Sequence, residues 1–335
     1  MVQAYEAARN ALKFILQATP GERAAVIFDA EKEEIAEAFT KAAVHEQLWT
    51  RAIVLENARA LRRELPSRVL EILSSENPEI CINLLRDMAE ETPFRIQLIN
   101  LETRKRRSRL GHCPGITLDM LTKGALTLSA AEHLKMQSYA DKIVATMNRS
   151  IEVRVTSPSG TDLTFSTRGR EFWSDTKIDL QKPRWTNLPT GEVAVAPVEN
   201  SLEGTLICDK VVGGIGITRD LVQIVARKGK IQKIDSADKP LRTRVIKALN
   251  TDAWASTVGE FAIGVNSKAR FTTHFLETEK IKGSAHVAFG HNLDFPGGKN
   301  PSATHMDFFI SKPSVEIRFG DRSSEPVLKN GKLRI

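Results

Sequence analysis

Gly283 to Phe309 reads GSAHVAFGHNLDFPGGKNPSATHMDFF. It carries His286, His291, His305 and Asp307, with Pro296 and the pair Gly297-Gly298 between them. The chain has seven histidines, and four of them lie between residues 274 and 305. His305 and Asp307 stand two positions apart, which in a strand puts both side chains on one face. A third histidine held across a glycine-rich turn lets the donors converge on a divalent ion. Any one of these histidines reads as an ordinary core or surface residue. The cluster reads as a metal site, because His305 and Asp307 open an apolar run (Phe308, Phe309, Ile310) where polar groups need partners.

The surrounding sequence is strand-rich. Ile151–Thr156 and Asp162–Ser166 alternate with period two around Ser157-Pro158-Ser159-Gly160, a hairpin signal. Further strands are expected near 193–196, 204–208, 221–226, 262–265 and 315–319, with a helix near 237–249. The first half has a different rhythm. Apolar runs at 24–28, 51–55 and 80–85 alternate with helical patterns at 32–45, 67–73 and 93–103. That predicts an open parallel sheet with helices on both faces. Tyr5, Ala8, Leu12, Ile15 and Leu16 recur with helical period, so the N-terminus reads as an amphipathic helix of the fold and not as a leader. Ala130–Met147 reads as a long helix connecting the halves. The expectation is an α/β domain over 1–150 and a strand-rich α+β domain over 151–335 that carries the metal site. The first half has neither G-x-G-x-x-G nor G-x-x-x-x-G-K-[ST], so a nucleotide site has no support.

A hydrophobic content of 41% and a charged content of 27% describe a globular protein with no run long enough for a membrane span. Cys81, Cys113 and Cys208 are odd in number and lack a C-x-x-C pair, which argues for reduced thiols in the cytoplasm and against a thiolate zinc site. The net charge of +7 and the run Arg104–Arg109 (RKRRSR) raise nucleic acid as a partner. No aromatic residues interleave the run, so a solvated helix end is the stronger reading. LGHCPG (Leu110–Gly115) reads as a turn exposing His112.

Two more segments deliver carboxylates at strand starts: NLPTGEVAVAP with Glu192, and GEFAIGVN with Glu260. Alone, each reads as an exposed strand end. Together with His286, His305 and Asp307 they form a set suited to two borderline-to-hard divalent ions sharing carboxylates and a water. Either glutamate could serve as a general base if it is not fully committed to metal. Trp173, Trp185 and Trp254 read as packing residues near strand ends. Lys280 and Lys282 beside Glu277 and Glu279 read as a solvated charged loop.

NLPTGEV, GEFAIG, HVAFG and THMD occur in the order of the metal-binding motifs of the thermophilic-type metallo-aminopeptidases, the aminopeptidase S and T group, which the chain resembles over most of its length. The resemblance implies a co-catalytic pair of divalent ions (zinc, cobalt, manganese or magnesium), a peptide substrate and a homodimer. It also implies Glu192, Glu260, His286, His305 and Asp307 as ligands. The family's catalytic tyrosine, seven residues after the motif histidine, is replaced here by Leu293; His291 is the nearby candidate to act in its place. That departure separates metal binding from peptide hydrolysis. A second reading is a ring-cleaving dioxygenase similar to dihydroxypyridine dioxygenases. There one Fe(II) would sit on two histidines and Asp307, and His112 would act as acid/base. Two spare buried glutamates count against it. A third is a metal-binding protein without turnover.

Overall fold

The structure, a computed structural model, describes residues 2–56, 60–104, 108–179 and 185–335. It divides into two compact units. The first comprises Met1–Gln137, Asp175–Thr190 and Lys268–Arg270; the second comprises Ser138–Ser174, Gly191–Ser267 and Phe271–Ile335. The division falls within the Ala130–Met147 helix.

The first unit is built on a parallel sheet of five strands, ordered Trp49–Leu55, Arg23–Asp29, Ile80–Leu85, Arg109–Pro114, Trp185–Asn187. Alternate side chains supply two cores. Ala24, Val26, Ile80 and Ile82 pack with Ala8, Leu12, Ile15 and Phe39 from the helices on one face. Ala25, Ile27, Cys81 and Leu85 pack with Val69, Leu73, Phe94 and Leu98 on the other. A parallel strand covered on both faces reads as a continuous apolar run, which is why 80–85 is buried at every position.

LGHCPG is not a turn. It forms most of the Arg109–Pro114 strand, and His112 is buried. Gly111 sits in that strand because a Cβ there would lie 2.5 Å from Leu188 Cδ1. Pro114 is tolerated as its last residue. Of the RKRRSR run, residues 105–107 lie outside the described residues. Arg109 is buried and pairs with Glu22. The three cysteines are buried free thiols.

Glu102 is fully buried and accepts a hydrogen bond from Asn83 Nδ2 at 2.8 Å. Burial pushes its carboxyl up to about 8, against opposing bonds from Asn83 and Cys81. The folded state therefore keeps a proton that the unfolded chain, titrating at 4.5, has lost. This contribution to stability is complete below 4.5 and disappears as pH rises to about 8. Glu102→Gln mimics the neutral acid. At pH 8 it should raise the melting temperature by several degrees, the ceiling being about 5 kcal/mol, while leaving pH 4 unchanged. Calorimetry of both proteins across that range checks it; a gap that does not widen with pH refutes it.

The second unit contains two antiparallel sheets. The larger has eight strands, ordered Lys230–Asp235, Val222–Arg227, Glu203–Cys208, Asp162–Ser166, Glu152–Thr156, Ser314–Arg318, Ser324–Lys329, Lys332–Leu333. The other has seven, ordered Gly216–Ile217, Val211–Val212, His305–Ile310, Ala285–Gly290, Val258–Gly264, Glu192–Val195, Trp173–Ser174. Phe165 of the larger sheet meets Phe261 of the smaller at 5.1 Å between ring centroids. Phe261 therefore marks the face of the smaller sheet that faces the core. No helix among the described residues is long and apolar enough to cross a membrane.

Candidate metal centre

Strand register explains why residues far apart in sequence meet. In the seven-stranded sheet Glu192 pairs with Gly264, Ala262 with His286, Ala288 with Asp307, and Gly290 with His305. Paired residues, and residues two apart on a strand, share a face. Glu192, Glu260, His286, His305 and Asp307 therefore all project from one face, opposite to Phe261. Between them the same face carries Ala194, Ala262, Gly264, Ala288 and Gly290. These small residues form a floor in which the five long polar side chains stand.

The distances are those of donors around an ion. His286 Nε2 lies 3.5 Å from Glu260 Oε1, 3.8 Å from Glu192 Oε2 and 3.9 Å from Asp307 Oδ1. His305 Nε2 lies 3.1 Å from Glu260 Oε2 and 3.3 Å from Asp307 Oδ1. Four donors arranged tetrahedrally about 2.1 Å from an ion stand about 3.4 Å apart. Neither ring nitrogen of His286 has a hydrogen-bond partner among the described residues, and its side chain is 1% exposed. A buried polar group in that condition costs about 1–3 kcal/mol unless something binds it. The donor set, imidazole and carboxylate without thiolate, fits a borderline-to-hard divalent cation.

Electrostatics agree. Burial opposes charge on His286, but Glu260, then Glu192 and Asp307, raise it to about 9. Burial opposes His305 too, and Asp307 and Glu260 hold it well above the usual imidazole value. Burial alone would raise Glu260; His286 and His305 hold its carboxyl well below the ordinary range. In the ion-free chain, protons occupy the positions that a cation would take.

The remaining candidates fall elsewhere. The His291 ring places Nδ1 3.1 Å from Ser302 O and Nε2 3.4 Å from Asp294. Its backbone carbonyl lies 2.8 Å from His305 Nδ1. With the proton on Nδ1, that bond leaves His305 Nε2 as the donor atom aimed at Glu260 and Asp307. His112 belongs to the first unit, edge-on to Trp185 at 6.3 Å. Burial, then Arg95, lowers it to about 3, so it is neutral at neutral pH. Leu293 is 51% exposed. Trp173 meets Phe295 at 5.7 Å, and Trp254 is exposed.

The loop read as solvated is the opposite. Glu277, Glu279 and Lys280 are buried, Lys280 completely. Lys280 Nζ lies 2.5 Å from Glu192 Oε1 and 2.9 Å from Glu279 Oε1. Phe275, in the preceding short helix, meets His286 edge-on at 5.8 Å. Lys282 remains exposed, its Nζ 4.1 Å from the Tyr139 ring centroid. Nothing periodic in ETEKIKG marks this burial; the one available signal was a glutamate and a lysine side by side near the ligand motifs.

Residues 129–333, more than half of the chain, match the family Peptidase_M29, described as thermophilic metalloprotease (M29). Among solved structures the chain is similar to wild-type AmpT from Thermus thermophilus, at 16% identity, with a TM-score of 0.74 and coverage of 100% of this chain and 99% of that one. It is also similar to 2,5-dihydroxypyridine dioxygenase from Pseudomonas putida KT2440, at 15% identity, with a TM-score of 0.72 and coverage of 99% and 97%. At such identities these likenesses establish the fold alone. No curated protein sequence matches the chain. The motifs quoted from the second half fall inside the matched segment, and the chain belongs to the thermophilic metalloprotease (M29) family.

Proposed function

We propose that the chain is an aminopeptidase, hydrolysing the amide bond next to a free N-terminus with a metal-activated water, as a cytoplasmic homodimer. The observation that carries the metal part is the meeting of Glu260, His286, His305 and Asp307, with each imidazole within 3.1–3.9 Å of both carboxylates. Family membership supports the hydrolytic part. The buried reduced thiols fit a cytoplasmic location. The dimer follows from the resemblance alone.

A divalent ion held there supplies a Lewis acid for the substrate carbonyl and a water of lowered pKa. Glu260 reaches both imidazoles with its two oxygens and is a ligand, not a base. Glu192 turns Oε1 to Lys280 and Oε2 toward His286, so Oε2 is the oxygen to take the proton of the attacking water. His291 acts through its carbonyl, orienting His305. The competing dioxygenase reading uses only His286, His305 and Asp307, and leaves the buried Glu260 between both imidazoles without a task.

Aminoacyl anilides with added cobalt, zinc, manganese or magnesium should be cleaved, and a chelator should stop the cleavage. Oxygen uptake on dihydroxypyridines with Fe(II), together with inert anilides, would reverse the assignment. The ion also competes with protons. Since neighbouring carboxylates raise His286 to about 9, apparent ion affinity should climb with pH and level off near 9. Calorimetric titration in buffers of different ionisation enthalpy should show proton release on binding at pH 7. Affinity independent of pH between 6 and 9 would contradict the proposed ligands.

A further inference from the structure

We propose that the ammonium of Lys280 takes the place of a second ion, so that the chain holds a single divalent cation on Glu260, His286, His305 and Asp307. This rests on the metal-binding part of the function proposed above. Among the described residues two groups of donors have ligand atoms within 4.8 Å of one another: Glu260 with His286 and Asp307 on this sheet face, and Glu192 and His286 with Glu279 from the segment beside it. The second group resembles an ion site and sits beside the first, sharing His286. Its two carboxylates, however, are both in contact with Lys280 Nζ, at 2.5 and 2.9 Å. A cation is therefore already in place, supplied by the chain.

This cation is fixed. Lys280 is completely buried, so its head group has no route to water. Its backbone is tied to the end of the Glu260 strand: Asn266 N donates to Lys280 O at 2.9 Å, and Lys282 N donates to Asn266 O at 3.0 Å. A divalent ion on Glu192 and Glu279 would lie beside an ammonium that cannot withdraw, and like charges in a poorly solvated setting repel strongly. The first group has no such occupant among the described residues: the ion pairs of Glu260 and Asp307 are with the imidazoles of His286 and His305, whose protons a metal cation can displace.

The test is ion stoichiometry, by elemental analysis and calorimetric titration with manganese and with zinc, on the full-length chain. The wild type should saturate at one ion per chain. Lys280→Met, close in volume and uncharged, should saturate at two, and Lys280→Arg should stay at one. Two ions in the wild type overturn the proposal, as does one ion in a folded Lys280→Met variant. If that variant does not fold, anomalous scattering from wild-type crystals decides: density between Glu192 and Glu279 overturns the idea, and density confined to the Glu260 group upholds it. The two readings fail separately. One ion without anilide cleavage leaves the lysine role standing and removes the aminopeptidase; two ions with cleavage do the reverse.

Discussion

Glu260→Gln should yield a folded chain that has lost its ion and its hydrolytic activity together. Glu260 is 4% exposed, and its two oxygens contact different imidazoles of the site, His286 at 3.5 Å and His305 at 3.1 Å. The amide keeps the volume, so the sheet around it should persist. It loses the negative charge that balances a cation and replaces one acceptor oxygen by a donor. Changes one shell further out in metal sites cost about 10–100-fold in affinity, so loss of this carboxylate should cost about 100-fold or more. Activity should fall at least as far. The substitution also removes the main partner that keeps His286 protonated in the ion-free chain, so its titration should move down from about 9. Elemental analysis, anilide kinetics and histidine resonances followed by NMR report these three effects independently. Unchanged ion content would show that Glu260 is a strand residue satisfied by imidazolium partners, and the metal centre would have to be sought elsewhere.

The sequence revealed the ligand segments because strand geometry is local. His305 and Asp307 share a face by being two apart, and a small residue two positions from each of the others (Ala194, Ala262, Ala288) preserves the same alternation. The parallel sheet was readable for a related reason: apolar runs covered on both faces leave an unbroken record, as in Ile80–Leu85. Lys280 left no such record. A lysine is buried when carboxylates pair with it, and its partner Glu192 lies 88 residues away. His112 was misread because Gly111 and Pro114 look like turn punctuation. In the folded chain the glycine makes room for Leu188, and the proline closes the strand. That Trp185–Asn187 returns to pair beside Arg109–Pro114 in the first unit is likewise a long-range fact, absent from any window of local pattern.

The second large effect should come from a residue that carries no chemistry. Gly264 ends the Glu260 strand and pairs with Glu192. A Cβ built on it would lie 2.1 Å from Ile281 O, 2.8 Å from Ile281 C and 2.9 Å from Glu279 O. All three are backbone atoms, so no rotamer change relieves the clash. The segment Glu279–Ile281 would have to lift, breaking the bonds of Asn266 N to Lys280 O and of Gly283 N to Gly264 O, both 2.9 Å. Lifting that segment carries Lys280, together with its neighbour Glu279, away from Glu192, leaving a buried carboxylate without its ammonium. Gly264→Ala should therefore cost about 3 kcal/mol or more, by backbone overpacking and unbalanced buried charge acting together. For a unit of this size that is roughly 6–12 °C in melting temperature. A divalent ion added in excess should restore part of the loss, because binding to the folded state shifts the equilibrium by mass action and the Glu192 carboxylate, without its ammonium, now invites a cation. The ion-dependent rise in melting temperature should then be larger in the variant than in the wild type. A variant that melts within 2 °C of the wild type, with the same response to ions, would mean that the Glu279–Ile281 segment does not press on the strand as closely as its backbone contacts require.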